Sequence, residues 1–561
     1  MSDIDAKKFF EKALEFYKVK KFDLVEENLE LALKLAPDRI SILENLVSIY
    51  FLNKKFTKSK KVIDRLKELG VENNKIDEIK FYVLKKLSKF DELFLFLKKK
   101  NYFKNINKKI FIISKLLYPS FFNDNKEIEE FRNNLIQNVN ELDREENLNL
   151  SLDGDMIEPP IFNLSYDQHE NLDLNTKIVK IFRKIYPGLN QSFKNKNKNK
   201  KIRIGFISSF FSNHTIGKLF KGIIFNLDKE KFETIVFHSE KTDQSPIFKE
   251  FLDAEISLNI KNIILPENFQ QSVDKINNEN LDIVFFPDVG MSSEFYYLSF
   301  IRFAKIQITT WGHPITTSNE SIDYFLSSKL LETNDAQKRF SEKLILSDYL
   351  PMYFYKPKIK NVLSDKEIVK KNIYFCSQNL IKIHPHFDEV FGKIFKKDKK
   401  AELLLIKDKS GEMSEKLMKR FKNNSSINFE KITLLEKMNV ENYINLCGSS
   451  SVLLDTFYFG AGNSFHESMF YGTPTVTMPT DNLKSRIVLG AYKQMKIEKP
   501  PVVNSIDDYV DCAVEIANKD EKKILEMKKN FQKKADEYLF ENKNFLKNIN
   551  DIFENLYKNK D

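Results

Sequence analysis

The sequence predicts an α/β protein, two doubly wound parallel sheets preceded by an α-helical solenoid. Three observations predict it. Phe22, Phe56 and Phe90 recur at intervals of 34 residues. From residue 201 onward, short β-branched and aromatic runs alternate with helix-like segments. That alternation lapses near Pro357 and restarts at Ile373.

Size and charge set the bounds. At roughly 100–200 residues per domain, 561 residues fit about three domains. A hydrophobic share of 42% is enough for packed cores and excludes wholesale disorder. No run of about 18 uncharged apolar residues is present, since Lys115 interrupts the most apolar stretch, Ile110 to Phe122. The first residues place acid before base with no apolar segment after them, unlike a signal peptide. The expectation is a cytoplasmic protein without a membrane span. Cys376, Cys447 and Cys512 are too few for a disulfide framework, and no two have zinc-pair spacing. The net charge of +10 comes from 90 Lys+Arg against 80 Asp+Glu, a small surplus. The lysines of 194–201 alternate with Asn rather than with aromatics or Arg, so no nucleic-acid partner is expected.

Residues 1–100 read as tetratricopeptide-like repeats. Each recurring Phe follows a Lys (Lys21, Lys55, Lys89), Tyr17 and Phe51 keep the same interval, and Pro37 closes the first unit. A period of about 34 residues is that of a helical hairpin, which cannot bury its apolar face alone and therefore stacks. The Phe should open the second helix of each hairpin and pack on an aromatic of the first. Residues 101–200 read as a helical and loop-rich connector. Its Asp153-Gly154-Asp155 reads as a turn rather than a metal pair, and Lys194 to Asn199 as an exposed linker. Residues 201–360 carry the runs 202–207, 234–237, 283–286, 306–309 and 324–326. Residues 361–520 carry 373–376, 403–406, 452–455 and 475–478. Apolar strands alternating with helices imply parallel sheets, with ligands bound beyond the strands' carboxyl ends. Residues 521–561 read as a charged C-terminal helix.

Four loops follow strands and carry chemistry. Ser208 to His214 places His214 beyond the first strand, where it could act as acid, base or donor, or simply hold structure. Trp311-Gly312-His313-Pro314 is a tight loop presenting His313 with the hydroxyls of Thr316 and Thr317. Gln378 to Lys382 follows a strand with a lysine that can reach a diphosphate as a point charge, or is one of this chain's many surface lysines. Gly460-Ala461-Gly462-Asn463-Ser464 opens a helix, with Glu467 about one turn in. Small residues at a helix start expose N–H groups to phosphate. This loop is neither a Walker A motif nor a dinucleotide fingerprint.

With these residues in place, the chain resembles the O-linked N-acetylglucosamine transferase family, in particular its bacterial SPINDLY-like branch. The blocks carrying the resemblance are Ile202 to His214, Asp282 to Met291, Gln307 to Ser328, Gln378 to Pro385 and Leu454 to Arg486. The resemblance implies a GT-B fold of two Rossmann-like domains, with the nucleotide sugar on residues 361–520 and the acceptor beside residues 201–360. It implies an inverting, metal-independent transfer with no cofactor beyond the nucleotide-sugar donor. The acceptor is then a polypeptide guided by the repeats, with N-acetylglucosamine passing from UDP to Ser/Thr. The alternatives are UDP-glucose or GDP-fucose as donor, Asn or a glycan as acceptor, or a non-catalytic repeat scaffold. The family's catalytic positions fall on His214, His313 and Lys382, and its donor-binding positions on Gln378, Lys382, Gly462, Asn463, Ser464 and Glu467. In that family Lys382 takes the diphosphate, Asn463 and Ser464 the phosphates, and Glu467 the ribose. Two residues depart from the pattern. Phe210 stands where branch members often carry Asp, and Gly462 where animal relatives carry His.

Overall fold

A computed structural model describes residues 2–71, 73–87, 89–99, 107–193 and 200–559. The linker expected at 194–199 lies outside the described residues. The chain forms two compact units, Met1–Lys115 and Leu116–Asp561.

The first unit is built of helical hairpins. Its helices are Ser2–Lys18, Phe22–Leu35, Ile40–Leu52, Phe56–Glu68, Asn74–Lys86 and Phe90–Lys99, with Lys108–Lys115 ending the unit. Each recurring Phe is the first residue of a second helix. Phe22 packs edge-on against Tyr17 at 5.8 Å, and Phe56 against Phe51 at 5.9 Å. The lysine before Phe56 also has a use, because Lys55 Nζ donates to Glu26 of the preceding hairpin at 2.7 Å. Leu29, Leu43 and Leu46 centre a core shared by successive hairpins. This sharing is why no single hairpin stands alone.

The second unit holds two parallel sheets. The first comprises β1 (Ile202–Ile207), β2 (Phe232–Ser239), β3 (Lys261–Leu265), β4 (Ile283–Phe286), β5 (Ile306–Thr310), β6 (Tyr324–Ser328) and β7 (Lys343–Ser347). Their order is β3-β2-β1-β4-β5-β6-β7. Ile204 of β1 sits between Thr234 and Ile283. The second sheet comprises β8 (Ile373–Phe375), β9 (Glu402–Ile406), β10 (Ile432–Leu435), β11 (Val452–Leu454) and β12 (Thr475–Val476), in the order β10-β9-β8-β11-β12. Both sheets reverse direction beside their first strand, at β1/β4 and at β8/β11. Such switch points leave a crevice beyond the strands' carboxyl ends.

Two features join these lobes. The segment between the repeats and β1 contributes helices Asn125–Arg144 and Leu172–Ile185. Its Asp153-Gly154-Asp155 is a turn, with Gly154 at φ +93. The Asp153 carboxylate accepts the Phe269 N–H at 2.7 Å. The C-terminal charged segment comprises two helices, Glu521–Tyr538 and Lys543–Asn559. The last one returns to the first sheet, where Phe553 packs on Phe232 and Phe285. No described helix is long and apolar enough to cross a membrane.

Candidate functional site

The crevice of the second sheet gathers the residues that the sequence placed after β8 and β11. Beyond β8 a short 3-10 turn, Leu380–Lys382, is capped by the Asn379 side chain. It returns Lys382 toward the strand end. Lys382 Nζ donates to Gln378 Oε1 at 3.1 Å and to the Gly460 carbonyl at 2.9 Å. It lies 4.5 Å from the centre of the Phe459 ring. Gln378 Nε2 in turn donates to Ser464 Oγ at 3.0 Å. Ser464, Gln378, Lys382 and Gly460 therefore form one connected chain across both loops. Burial pulls the Lys382 ammonium down to about 8, with Asp455 opposing the shift.

Asp455, just past β11, organises this loop. It accepts the Ala461 N–H at 2.6 Å and the Thr477 hydroxyl at 2.7 Å. A Cβ on Gly460 would stand 2.9 Å from its carboxylate, so the turn closes on glycine. Burial pushes Asp455 up to about 7. Helix Asn463–Ser468 follows, with Gly462 at its N-cap. The Asn463 Oδ1 is buried without a hydrogen bond. Glu467 is turned toward the first lobe, where its Oε1 meets Lys218 Nζ at 2.5 Å.

The first sheet's crevice lies beyond β1 and β4. Ser208 donates to Asp288 Oδ2 at 3.0 Å, and burial lifts Asp288 to about 7. His214 is the N-cap of helix Thr215–Phe225, its Nδ1 accepting the Ile216 N–H at 3.3 Å. That bond consumes the Nδ1 lone pair, so the neutral ring carries its hydrogen on Nε2 and presents a donor. The ring stacks on Phe210 at 4.4 Å, and burial holds it near 4, hence neutral.

His313 has the opposite tautomer. Its Nδ1–H donates to the Val289 carbonyl at 2.9 Å, while Nε2 is buried with no partner. The ring is 3% exposed, and burial holds it near 4. Gly290, at φ +106, makes room for it, since a Cβ there would come within 2.6 Å of Nδ1. Thr316 and Thr317 do not join His313. Both hydroxyls bond the buried Glu342, which needs donors in a place that water does not reach. Trp311 of the same loop faces the second lobe, and a Cβ on Gly462 would lie 3.5 Å from its ring.

Sequence reasoning missed the aromatic bridge between the two crevices. Phe162 stacks on His313 at 5.9 Å and meets Tyr166 edge-on at 5.4 Å. Tyr166 lies over Phe459 at 4.9 Å, directly beneath Lys382. The bridge is anchored from below: buried Lys484 donates to the Asp167 carbonyl at 2.6 Å, and Arg132 pairs with the Asp167 carboxylate at 3.1 Å. Phe162 and Tyr166 belong to a loop-rich stretch without periodicity. The Pro159-Pro160 pair just before it is the sequence's sole mark of a fixed turn there.

Two facing crevices, a lysine and amide-rich loop on one side and two neutral histidines on the other, suit a nucleotide-linked substrate. The family profile for glycosyl transferase family 41 matches residues 165–372 and 363–549. The chain belongs to glycosyl transferase family 41. The family 41 match covers both sheets and begins just before Tyr166, leaving Phe162 outside it. A protein named "Probable UDP-N-acetylglucosamine--peptide N-acetylglucosaminyltransferase SEC" from Arabidopsis thaliana is 22% identical over 335 residues, 57% of this chain and 33% of that one. A UDP-glucose:protein N-beta-glucosyltransferase from Actinobacillus pleuropneumoniae is 22% identical over 339 residues, 58% of this chain and 52% of that one. The chain thus spans a third to about half the length of these relatives. Among solved structures, a mutant O-GlcNAc transferase of Thermobaculum terrenum superposes with a TM-score of 0.69 at 14% identity. That likeness covers 100% of this chain and 98% of the other. It shows the fold of helical repeats followed by two GT-B lobes.

Proposed function

We propose that this protein transfers a sugar from a nucleoside diphosphate to a polypeptide, with UDP-N-acetylglucosamine as donor and Ser/Thr hydroxyls as acceptors. The observation that carries the reading is the chain Ser464–Gln378–Lys382–Gly460 at the carboxyl ends of β8 and β11. Breaking a sugar–diphosphate bond builds negative charge on the leaving diphosphate. Preorganised donors stabilise such charge without rearrangement. Lys382 spends two N–H groups on neutral acceptors and keeps the third for the diphosphate. The Ser464 hydroxyl and the loop amides take the other phosphate oxygens, and Glu467 takes the ribose.

On the opposite lobe, inversion requires the acceptor oxygen to attack the sugar from the face away from the diphosphate. A proton acceptor must then stand on that face. Of the two histidines, only His313 keeps a lone pair, on Nε2, without a competing partner, though that atom is buried and the ring is held near 4. His214, whose lone pair caps a helix, serves as a hydrogen-bond donor instead. The helical repeats of the first unit guide the acceptor polypeptide.

A second reading keeps the same machinery with UDP-glucose as donor and Asn as acceptor, and the Actinobacillus relative favours it. One experiment separates the two. UDP, UDP-N-acetylglucosamine, UDP-glucose and GDP-fucose are titrated into wild type and Lys382→Ala, and the competent donor is then incubated with a peptide library read by mass spectrometry. The first reading expects tight binding of UDP-N-acetylglucosamine, lost in the variant, and modified Ser/Thr. Glucose on Asn establishes the second reading. Binding of none of the four leaves a repeat scaffold.

A further inference from the structure

Lys218 lies on helix Thr215–Phe225 of the first lobe, one turn beyond His214. Its ammonium meets Oε1 of Glu467, on the second lobe, 249 residues away. The Glu467 side chain is 8% exposed and that of Lys218 22%. The bond to Lys218 engages Oε1 of Glu467. Lys218 also faces His214, whose protonated form its charge disfavours.

We propose that Lys218 positions Glu467 for the two ribose hydroxyls of the donor. The inference rests on the reading of Glu467 as the ribose contact. A carboxylate accepts from two hydroxyls only while it is ionised, since a protonated one turns an acceptor oxygen into a donor. Lys218 pairs through Oε1, and Oε2 is the oxygen left to meet the diol. The pair also fixes the plane of the carboxylate on a helix of six residues, Asn463–Ser468. Its two members sit on different lobes, so both lobes contribute to the prepared carboxylate.

The test uses the full chain and two probes, UDP and 2′-deoxy-UDP, titrated into wild type, Lys218→Met, Lys218→Arg and Glu467→Gln. Wild type should prefer UDP. Lys218→Met should weaken UDP about tenfold, the size of one lost hydrogen bond to a charged group, and abolish the preference. Lys218→Arg should restore both, which a general packing defect would not allow. In turnover, Lys218→Met should raise the donor KM and leave kcat within about twofold, a smaller change than a lost charge-stabilising group gives. If Lys218→Met keeps the preference for UDP while Glu467→Gln loses it, the role given to Lys218 is wrong and the ribose reading stands. If Glu467→Gln keeps the preference, both fail together.

Discussion

Replacing Lys382 by methionine removes the charge and its hydrogen bonds but keeps the apolar stem. The methionine keeps an apolar stem over Phe459, where the ammonium now sits 4.5 Å from the ring centre. Lost are the donations to Gln378 Oε1 and the Gly460 carbonyl, and the third N–H proposed for the diphosphate. Two unit charges about 4 Å apart interact by ~4 kcal/mol at an effective dielectric near 20. That is an upper bound, because the ground-state diphosphate already carries part of the charge. The share felt in the transition state alone corresponds to about 10²–10³ in kcat, as for other lost charge-stabilising donors. The assay is initial rate at saturating donor, with UDP titration and thermal unfolding in parallel to separate turnover from binding and folding. If kcat stays within about threefold of wild type in a folded variant, well short of that loss, Lys382 does not face the leaving group and the placement of the diphosphate fails.

Three further outcomes are expected. Burial holds Lys382 at about 8, below its ordinary range, so the ammonium proposed to bind the diphosphate is lost as pH rises through that value. Above pH 7, where UDP itself no longer titrates, UDP affinity should fall as pH passes 8, and Lys382→Arg should bind with no such fall, as calorimetry across that range will show. His214 caps a helix through Nδ1, so His214→Ala should cost ~1 kcal/mol in urea unfolding. His214→Asn, which caps equally well, should restore it, and a turnover loss shared by both variants assigns the ring a further contact. Lys528 is fully buried and donates to the carbonyls of Ile368, Gly448 and Ser450, each at 2.7 Å. Lys528→Met should destabilise by ~3 kcal/mol because it strands those acceptors, and a loss below ~0.5 kcal/mol in urea unfolding would show that they find other partners.

The central strands were legible from the sequence because they are buried on both faces and read as continuous apolar runs. Of the four edge strands, β12 is buried and was legible, whereas β3, β7 and β10 were not. Lys261 and Lys343 start two of them, and Thr433 interrupts the third, because each edge is open to solvent on one side. Their mixed composition resembles the loops beside them. The same logic divides the site. Gln378, Lys382, Ser464 and His313 each follow a strand closely, so a short motif exposes them. Lys218, Phe162 and Tyr166 act through partners hundreds of residues away, and nothing local marks them. The tautomers of His214 and His313 were equally hidden, since each depends on a backbone group that the fold brings to one ring nitrogen.

The last helix bears on how the chain comes to be folded. Phe545, Ile549 and Phe553 are fully buried in the core of the first sheet, yet they lie within its final 17-residue helix. A ribosome therefore finishes β1 to β7 long before it makes the side chains that seal them. Until then the nascent first lobe carries an apolar groove in need of cover. Chaperone dependence should track this interval, and a chain stopped before residue 543 should be retained in aggregates even with every residue of both crevices already made.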